Sequence, residues 1–142
     1  MAKYAGTGVT LATEIASVYT VIAQIRDING PNQSADTIET TSRDNANLFK
    51  TYLAGLRDGG EVSFDLLYDP DLVTHSASAA GGLVKLLQDG TLNNFRISFP
   101  DAAPVTTVTF SGIVTAFTPK SPMNDALAAD CTIKVSARPT WA

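Results

Sequence analysis

The chain has 142 residues, 44% of them hydrophobic, which is enough for one compact domain with a core of its own. Its formal net charge is -4 and no run of consecutive Lys and Arg occurs, so nothing in it is built to grip a phosphate backbone. The single cysteine, Cys131, excludes an intrachain disulfide and a multi-cysteine zinc site, and no apolar stretch has the length of a signal peptide core or a membrane span. A soluble protein made in a reducing compartment is expected.

In chain order, the Ala-, Gly- and Thr-rich residues 1–17 have little to bury and are expected to form an arm that orders only on assembly. From Tyr19 the pattern alternates, with Tyr19, Val21, Ala23 and Ile25 on a buried side, Thr20, Gln24 and Arg26 on the other, and Ile22 as an exception. Asn29-Gly30-Pro31-Asn32 then turns the chain into a β-branched run, Thr37 to Thr41, and the two strands are expected to pair as a hairpin.

Between Ser42 and Gly60 the alternation stops. Leu48, Phe49, Tyr52, Leu53 and Leu56 recur at helical spacing among Arg43, Asp44, Lys50, Arg57 and Asp58. Two readings stand for 42–60: a short helix packed on its own sheet, or a long adhesive loop for a neighbouring subunit. Val62, Phe64, Leu66 and Tyr68 alternate again and predict a central strand whose large side chains bury one face.

Asp69-Pro70-Asp71 has the residues of a helix start, and the helix is expected to carry Leu72, His75, Leu83, Leu86 and Leu87 and to stop at Asp89-Gly90, with a kink near Gly81-Gly82. Phe95, Ile97 and Phe99 alternate and lead through a turn at Pro100 to Pro104 into a second hairpin. The run Thr106 to Thr118 presents Val108, Phe110, Val114 and Ala116 on one face, with Gly112 as a possible bulge. The last strand carries Leu127, Ala129, Cys131, Ile133 and Val135 against Asp130, Thr132, Lys134 and Ser136, and is expected to end at Arg138-Pro139. The sum is a mainly β fold, a β-sandwich or small barrel with one flanking α-helix.

No catalytic constellation emerges. His75 lies near Asp69, Asp71 and Ser76, but neighbours on one helical turn cannot surround a substrate, so a packed or capping His is expected. Cys131 falls in an apolar row with no cation beside it, and Asp65, Asp69 and Asp71 lack the glycine and terminal Glu of a calcium loop. No nucleotide or dinucleotide motif occurs, so no cofactor and no metal are expected. Trp141 is expected to anchor a C-terminal arm, 137–142, against a neighbour.

Several blocks in this order carry a resemblance: Ser34-Ala35-Asp36-Thr37-Ile38-Glu39-Thr40-Thr41, Gly55-Leu56-Arg57-Asp58-Gly59-Gly60-Glu61-Val62-Ser63-Phe64, Tyr68-Asp69-Pro70-Asp71 with His75, Leu92-Asn93-Asn94-Phe95-Arg96-Ile97-Ser98-Phe99-Pro100-Asp101, Phe110-Ser111-Gly112-Ile113-Val114-Thr115 and Lys134-Val135-Ser136-Ala137-Arg138-Pro139-Thr140. Together they resemble the major tail tube proteins of lambda-like long-tailed phages. The stretch Ser76 to Gly82 departs from that pattern as a small insertion, and with the sequence ending at Ala142 no appended immunoglobulin-like domain is expected.

The resemblance implies one tail tube domain over 1–142, hexameric rings whose inner strands join into a continuous barrel, and a long loop that contacts the next ring. It implies a non-enzymatic protein of the virion tail, made and assembled in the host cytoplasm. The implied partners are the chain itself and tape-measure, tail-tip and tail-terminator proteins, with DNA passing through an acidic lumen without specific binding. Placed on that frame, Leu48, Phe49, Tyr52 and Leu53 are the expected apolar anchors, Arg43, Asp44, Arg57 and Asp58 the rim charges, and Trp141 a further contact. The inner tube of a contractile tail or type VI secretion-like machine is the alternative in the same class. A monomeric ligand-binding β-sandwich is the alternative outside it.

Overall fold

Alternation of large apolar with polar residues makes strands that bury one face. In the computed structural model, which describes residues 8–44, 47–100 and 105–142, such strands supply nearly the whole core. The elements are β1 (Thr10–Ile15), β2 (Val18–Val21), β3 (Ile25–Asn29), β4 (Ser34–Glu39), β5 (Tyr52–Asp58), β6 (Glu61–Leu67), α1 (Leu83–Asp89), β7 (Asn93–Ser98), β8 (Thr107–Lys120) and β9 (Ala128–Trp141). Seven of them form one antiparallel sheet in the order β2-β1-β7-β8-β9-β6-β3, while β4 and β5 pair only with each other.

The two end strands of that sheet, β2 and β3, are consecutive in the chain with only Ile22–Gln24 between them, so the sheet must fold back on itself. It does so through β8 and β9, each 14 residues long. β7 pairs with β8 only over Thr107–Gly112, and β6 pairs with β9 only over Ala128–Lys134. One layer is therefore β2-β1-β7 with the first half of β8 and the second half of β9. The other is β3-β6 with the remaining halves. Register shifts at Thr109/Ser111 and Val114/Ala116 bend the shared hairpin between layers, and Gly112 lies between them. A Cβ on Gly112 would stand 2.7 Å from Ile133 Cγ2, so this glycine is needed for close approach.

Leu11, Val62, Phe64, Leu66, Phe95, Ile97, Val108, Phe110, Val114, Cys131 and Ile133 fill the space between the layers, and α1 closes one side with Leu83 and Leu86. The corner at Ile22–Gln24 is tied from outside. Thr74 Oγ1 accepts from the Ala23 N–H at 3.3 Å, and His75 Nε2–H donates to the Ala23 carbonyl at 2.8 Å.

Several expectations change. The chain crosses from layer to layer at residues 22–24, so Ile22 is buried and Val21 exposed, the reverse of a straight strand through Ile25. The first expected hairpin does not form: β3 pairs with β6 and β4 with β5. The expected helix from Asp69 is a single 3-10 turn, Val73–His75, because the Asp69 carboxylate accepts the Asp71 N–H in a local turn. Gly81, at φ +79°, is pressed against Ile15, so α1 begins only after Gly82; it ends at Gly90 in the left-handed conformation, where the sequence places its stop. The expected arm 1–17 contains β1 and the two turn residues Ala16 and Ser17, and β9 runs through 137–142 to Trp141. The turn at 101–104 lies outside the described residues.

Candidate assembly surfaces

The most exposed element is the β4–β5 hairpin. Its register sets Ile38 opposite Leu53 on one face and Glu39 opposite Tyr52 on the other, and both faces are open to solvent. Thr40 and Thr51 continue the pairing toward the tip through a backbone bond of 2.8 Å and a hydroxyl pair at 2.9 Å. The helix reading of 42–60 does not hold: the stretch supplies the returning strand, β5, of a β-hairpin arm. Seven residues of β5 reach about 23 Å from the body at about 3.3 Å per residue.

At the tip, Leu48 is 92% exposed and Phe49 75% exposed, and Leu48 holds a left-handed φ of 59°. Arg43 and Asp44 are also exposed, and Ser42 Oγ–H donates to Asp44 Oδ1 at 2.6 Å. That bond, then one from its own backbone amide, holds the Asp44 carboxyl below its ordinary range. Residues 45–46 lie outside the described set. The arm thus carries Arg43, Asp44, Leu48, Phe49, Tyr52 and Leu53 toward its tip and Arg57 and Asp58 at its root, whereas Trp141 belongs to the body, half-exposed and stacked parallel on Phe99 at 6.0 Å.

Asp58 differs from the other charges of this group. Its Oδ1 accepts the Gly60 N–H at 2.9 Å, and Lys134 Nζ sits 3.3 Å from both carboxylate oxygens, tying the arm root to β9. The Gly60 amide first, and Lys134 second, pull its carboxyl below the ordinary value. Gly59 packs flat on Val135, and Gly60, at φ +76°, meets the Asn32 carbonyl, so the root has no room for side chains.

The register also sorts the remaining apolar surface. Thr10, Ser98 and Thr107 stand at one level, where Val105 and Trp141 are exposed, while the arm root at Gly60 lies at the level of Val135 and Gly112. Elsewhere on the body, Val18 at the β1–β2 turn, Leu92 before β7, and Met123 and Leu127 before β9 are exposed. Exposed apolar residues thus occur on the body as well as on the arm.

A further surface was missed from sequence. The outward side of the β3-β6-β9-β8 layer carries Asp27 and Asn29, Glu61, Ser63 and Asp65, Asp130, Thr132 and Lys134, then Ile113, Ala116 and Thr118. Asp27, Asp65 and Asp130 stand directly opposite one another across three strands, an arrangement that like charges normally disfavour. The Asp27 N–H donates to Asp65 Oδ1 at 3.0 Å and Lys120 pairs with Asp130, which offsets part of the repulsion. The alternation showed that these residues face outward; only the strand order shows that they form a row.

The candidate chemical groups are sealed. His75 is fully buried, its Nδ1 accepting the Asp69 N–H at 3.2 Å while Nε2–H donates to Ala23, so both ring nitrogens are used structurally. Cys131 is buried, and desolvation pushes its thiol up to about 12. Among the described residues, no three His, Cys, Asp or Glu side chains come together to hold a metal ion, and no helix is long and apolar enough to cross a membrane.

Three solved structures share this architecture. The tail of an empty gene transfer agent (GTA) particle, refined with C6 symmetry, matches with a TM-score of 0.81 at 16% identity, covering 99% of each chain. The sheath-tube complex of an extracellular contractile injection system, PVC, matches with a TM-score of 0.67 at 14% identity over 94% of this chain and 87% of that one. The SPP1 tail tube matches with a TM-score of 0.72 at 8% identity over 98% of this chain and 78% of that one. A search of curated proteins finds no match. At these identities the likeness establishes the fold, the mainly β architecture of tail tube subunits. The model of the lambda phage tail tube protein family matches residues 2–142, and the chain belongs to that family as a structural protein of the virion tail.

Proposed function

We propose that the chain assembles into hexameric rings that stack into the tube of a long phage tail, with the acidic face of the β3-β6-β9-β8 layer lining the channel. The observation that carries this reading is the pairing of that polar face with an exposed apolar arm and further exposed apolar residues on the body. Head-to-tail stacking brings the arm end of one copy against the opposite end of the next, so the same two surfaces serve every ring. Arg43, Asp44, Leu48, Phe49, Tyr52 and Leu53 would meet the adjacent ring, with Arg57, Asp58 and Trp141 nearer the body. A lumen carrying Asp27, Glu61, Asp65 and Asp130 repels phosphates and lets DNA pass without binding. The chain acts as a scaffold and not a catalyst, with tape-measure, tail-tip and tail-terminator proteins as its other partners.

The likeness to the PVC tube supports a second reading, the inner tube of a sheathed contractile machine, which a sheath partner co-purifying with the assembled tube would favour. The test is negative-stain electron microscopy of the purified protein over a concentration series. Hollow tubes or stacked rings of uniform diameter are expected. A persistent monomer, even with tail-tip initiator present, would overturn the reading in favour of a ligand-binding sandwich.

A further inference from the structure

The chain has three places where Asn or Asp precedes glycine: Asn29-Gly30, Asp58-Gly59 and Asp89-Gly90. At such a pair the following amide nitrogen carries no neighbouring Cβ, so its approach to the side-chain carbonyl carbon is least hindered. Two of the three are locked. Asp58 accepts the Gly60 N–H at 2.9 Å and pairs with Lys134. Asp89 pairs with Lys85 at 3.1 Å, and the Gly90 N–H donates to the Leu86 carbonyl at 3.0 Å. Asn29-Gly30 is different. Both residues are exposed, and among the described residues neither the Asn29 carboxamide nor the Gly30 N–H has a hydrogen-bond partner. The neutral amide is also a better electrophile than an ionised carboxylate, which repels a nucleophile. Every other asparagine is followed by a residue with a side chain.

We propose that Asn29 is a self-modification site, converted to aspartate and isoaspartate by attack of the Gly30 nitrogen. That nitrogen, having lost its proton, bonds to Asn29 Cγ; the Cγ–Nδ2 bond breaks and ammonia leaves with the proton. Water then opens the cyclic imide at either carbonyl, giving aspartate or its β-linked isomer. The net reaction consumes one water and yields one carboxylate and one ammonium ion. Extended backbone holds the nitrogen away from Cγ, so the step proceeds when the end of β3 opens. The position of Asn29 allows that: Asn29 and Ser63 form the last pair of the β3–β6 ladder, and β3 is an end strand of its sheet. Gly30 stands at φ +106°, and a Cβ there would meet the Glu61 carbonyl, so the fold itself requires glycine at the attacking position. The consequence falls on the acidic face. Asn29 lies two residues from Asp27 on the same side of β3, about 7 Å along the strand, where an added carboxylate extends the acidic row. Conversion takes the formal net charge from -4 to -5. The isoaspartate product adds a main-chain carbon and breaks the last β3–β6 pair. On the tube reading the modified wall is the channel wall, but the modification itself does not depend on that reading.

The test uses the unsubstituted full chain, folded and unfolded in urea, held at mildly alkaline pH in heavy-oxygen water and mapped by mass spectrometry of tryptic peptides. Asn29 and Asn32 share the peptide 27–43, and fragmentation separates them. In the folded chain, conversion at Asn29 should run several-fold faster than at any other asparagine and well above the rate set by the globally unfolded fraction. Each product should carry one heavy oxygen, and isoaspartate should be labelled by isoaspartyl methyltransferase. Asn29→Gln, which keeps an amide but must close a larger ring, should remove the early product. An Asn29 that stays intact in the folded chain, or converts only as fast as global unfolding supplies it, would overturn the site. Conversion led by a different asparagine would overturn it as well, and each of these results leaves the tube reading standing.

Discussion

The tip of the β4–β5 arm offers the sharpest perturbation, Leu48→Ser with Phe49→Ser. Both side chains are more than 70% exposed in the single chain, at 92% and 75%, so removing them costs the isolated fold little, within about 0.5 kcal/mol. If they are buried against the next ring, each contributes about 1.5 kcal/mol at the low end for a large apolar side chain, or about 3 kcal/mol for the pair. At about 1.4 kcal/mol per tenfold change, the critical concentration for polymerisation should rise about 100-fold. Sedimentation of tubes from a dilution series measures it, with thermal unfolding of the monomer as the control. A critical concentration within threefold of the unsubstituted chain, with an unchanged melting temperature, would refute the role of the arm in stacking.

Other outcomes follow from the fold and its charges. Replacing His75 by Phe strands the Ala23 carbonyl and the Asp69 N–H, and should lower stability in urea by about 2–4 kcal/mol. Because the Asp58 carboxyl is depressed by the Gly60 amide and Lys134, its contribution is present above the unfolded carboxyl value of 3.8 and is lost as pH falls through the lower folded value. Exchange of the Gly60 amide should therefore speed up in strong acid, and Asp58→Asn should abolish that dependence. Asp65→Asn removes a charge from the middle of the acidic row while keeping an acceptor for the Asp27 N–H, and should raise monomer stability by about 0.2–1 kcal/mol in a melt at low salt. Alkylation of Cys131, whose thiol is pushed up to about 12, should be slow in the native state and should track unfolding.

The strands that pack one face on the core were legible because burial enforces alternation: Val62, Phe64 and Leu66, Phe95 and Ile97, and Ala129, Cys131 and Ile133 all occupy the faces that period 2 assigns. The arm was not legible, and the reason is physical. Its apolar residues stay exposed and are not packed into the core that would impose a period, and Leu48, Phe49, Tyr52, Leu53 and Leu56 fell by chance on a helical stripe. β1 escaped notice because it enters the core with Leu11, Ala12 and Thr13, two of them small and one polar. The helix expected from Asp69 failed on tertiary contacts, with Gly81 pressed on Ile15 and Gly82 on the Ser76 carbonyl. The acidic row required strand order, since Asp27, Asp65 and Asp130 come from three separate parts of the chain.

The central claim is that this sandwich builds a tube with its acidic layer facing the channel, and helical reconstruction of assembled tubes by cryo-electron microscopy tests it most directly. Asp27, Glu61, Asp65 and Asp130 should line the lumen and the β4–β5 arm should reach the neighbouring ring. A tube whose lumen is lined by the β2-β1-β7 layer, with the acidic row on its outer surface, would contradict it.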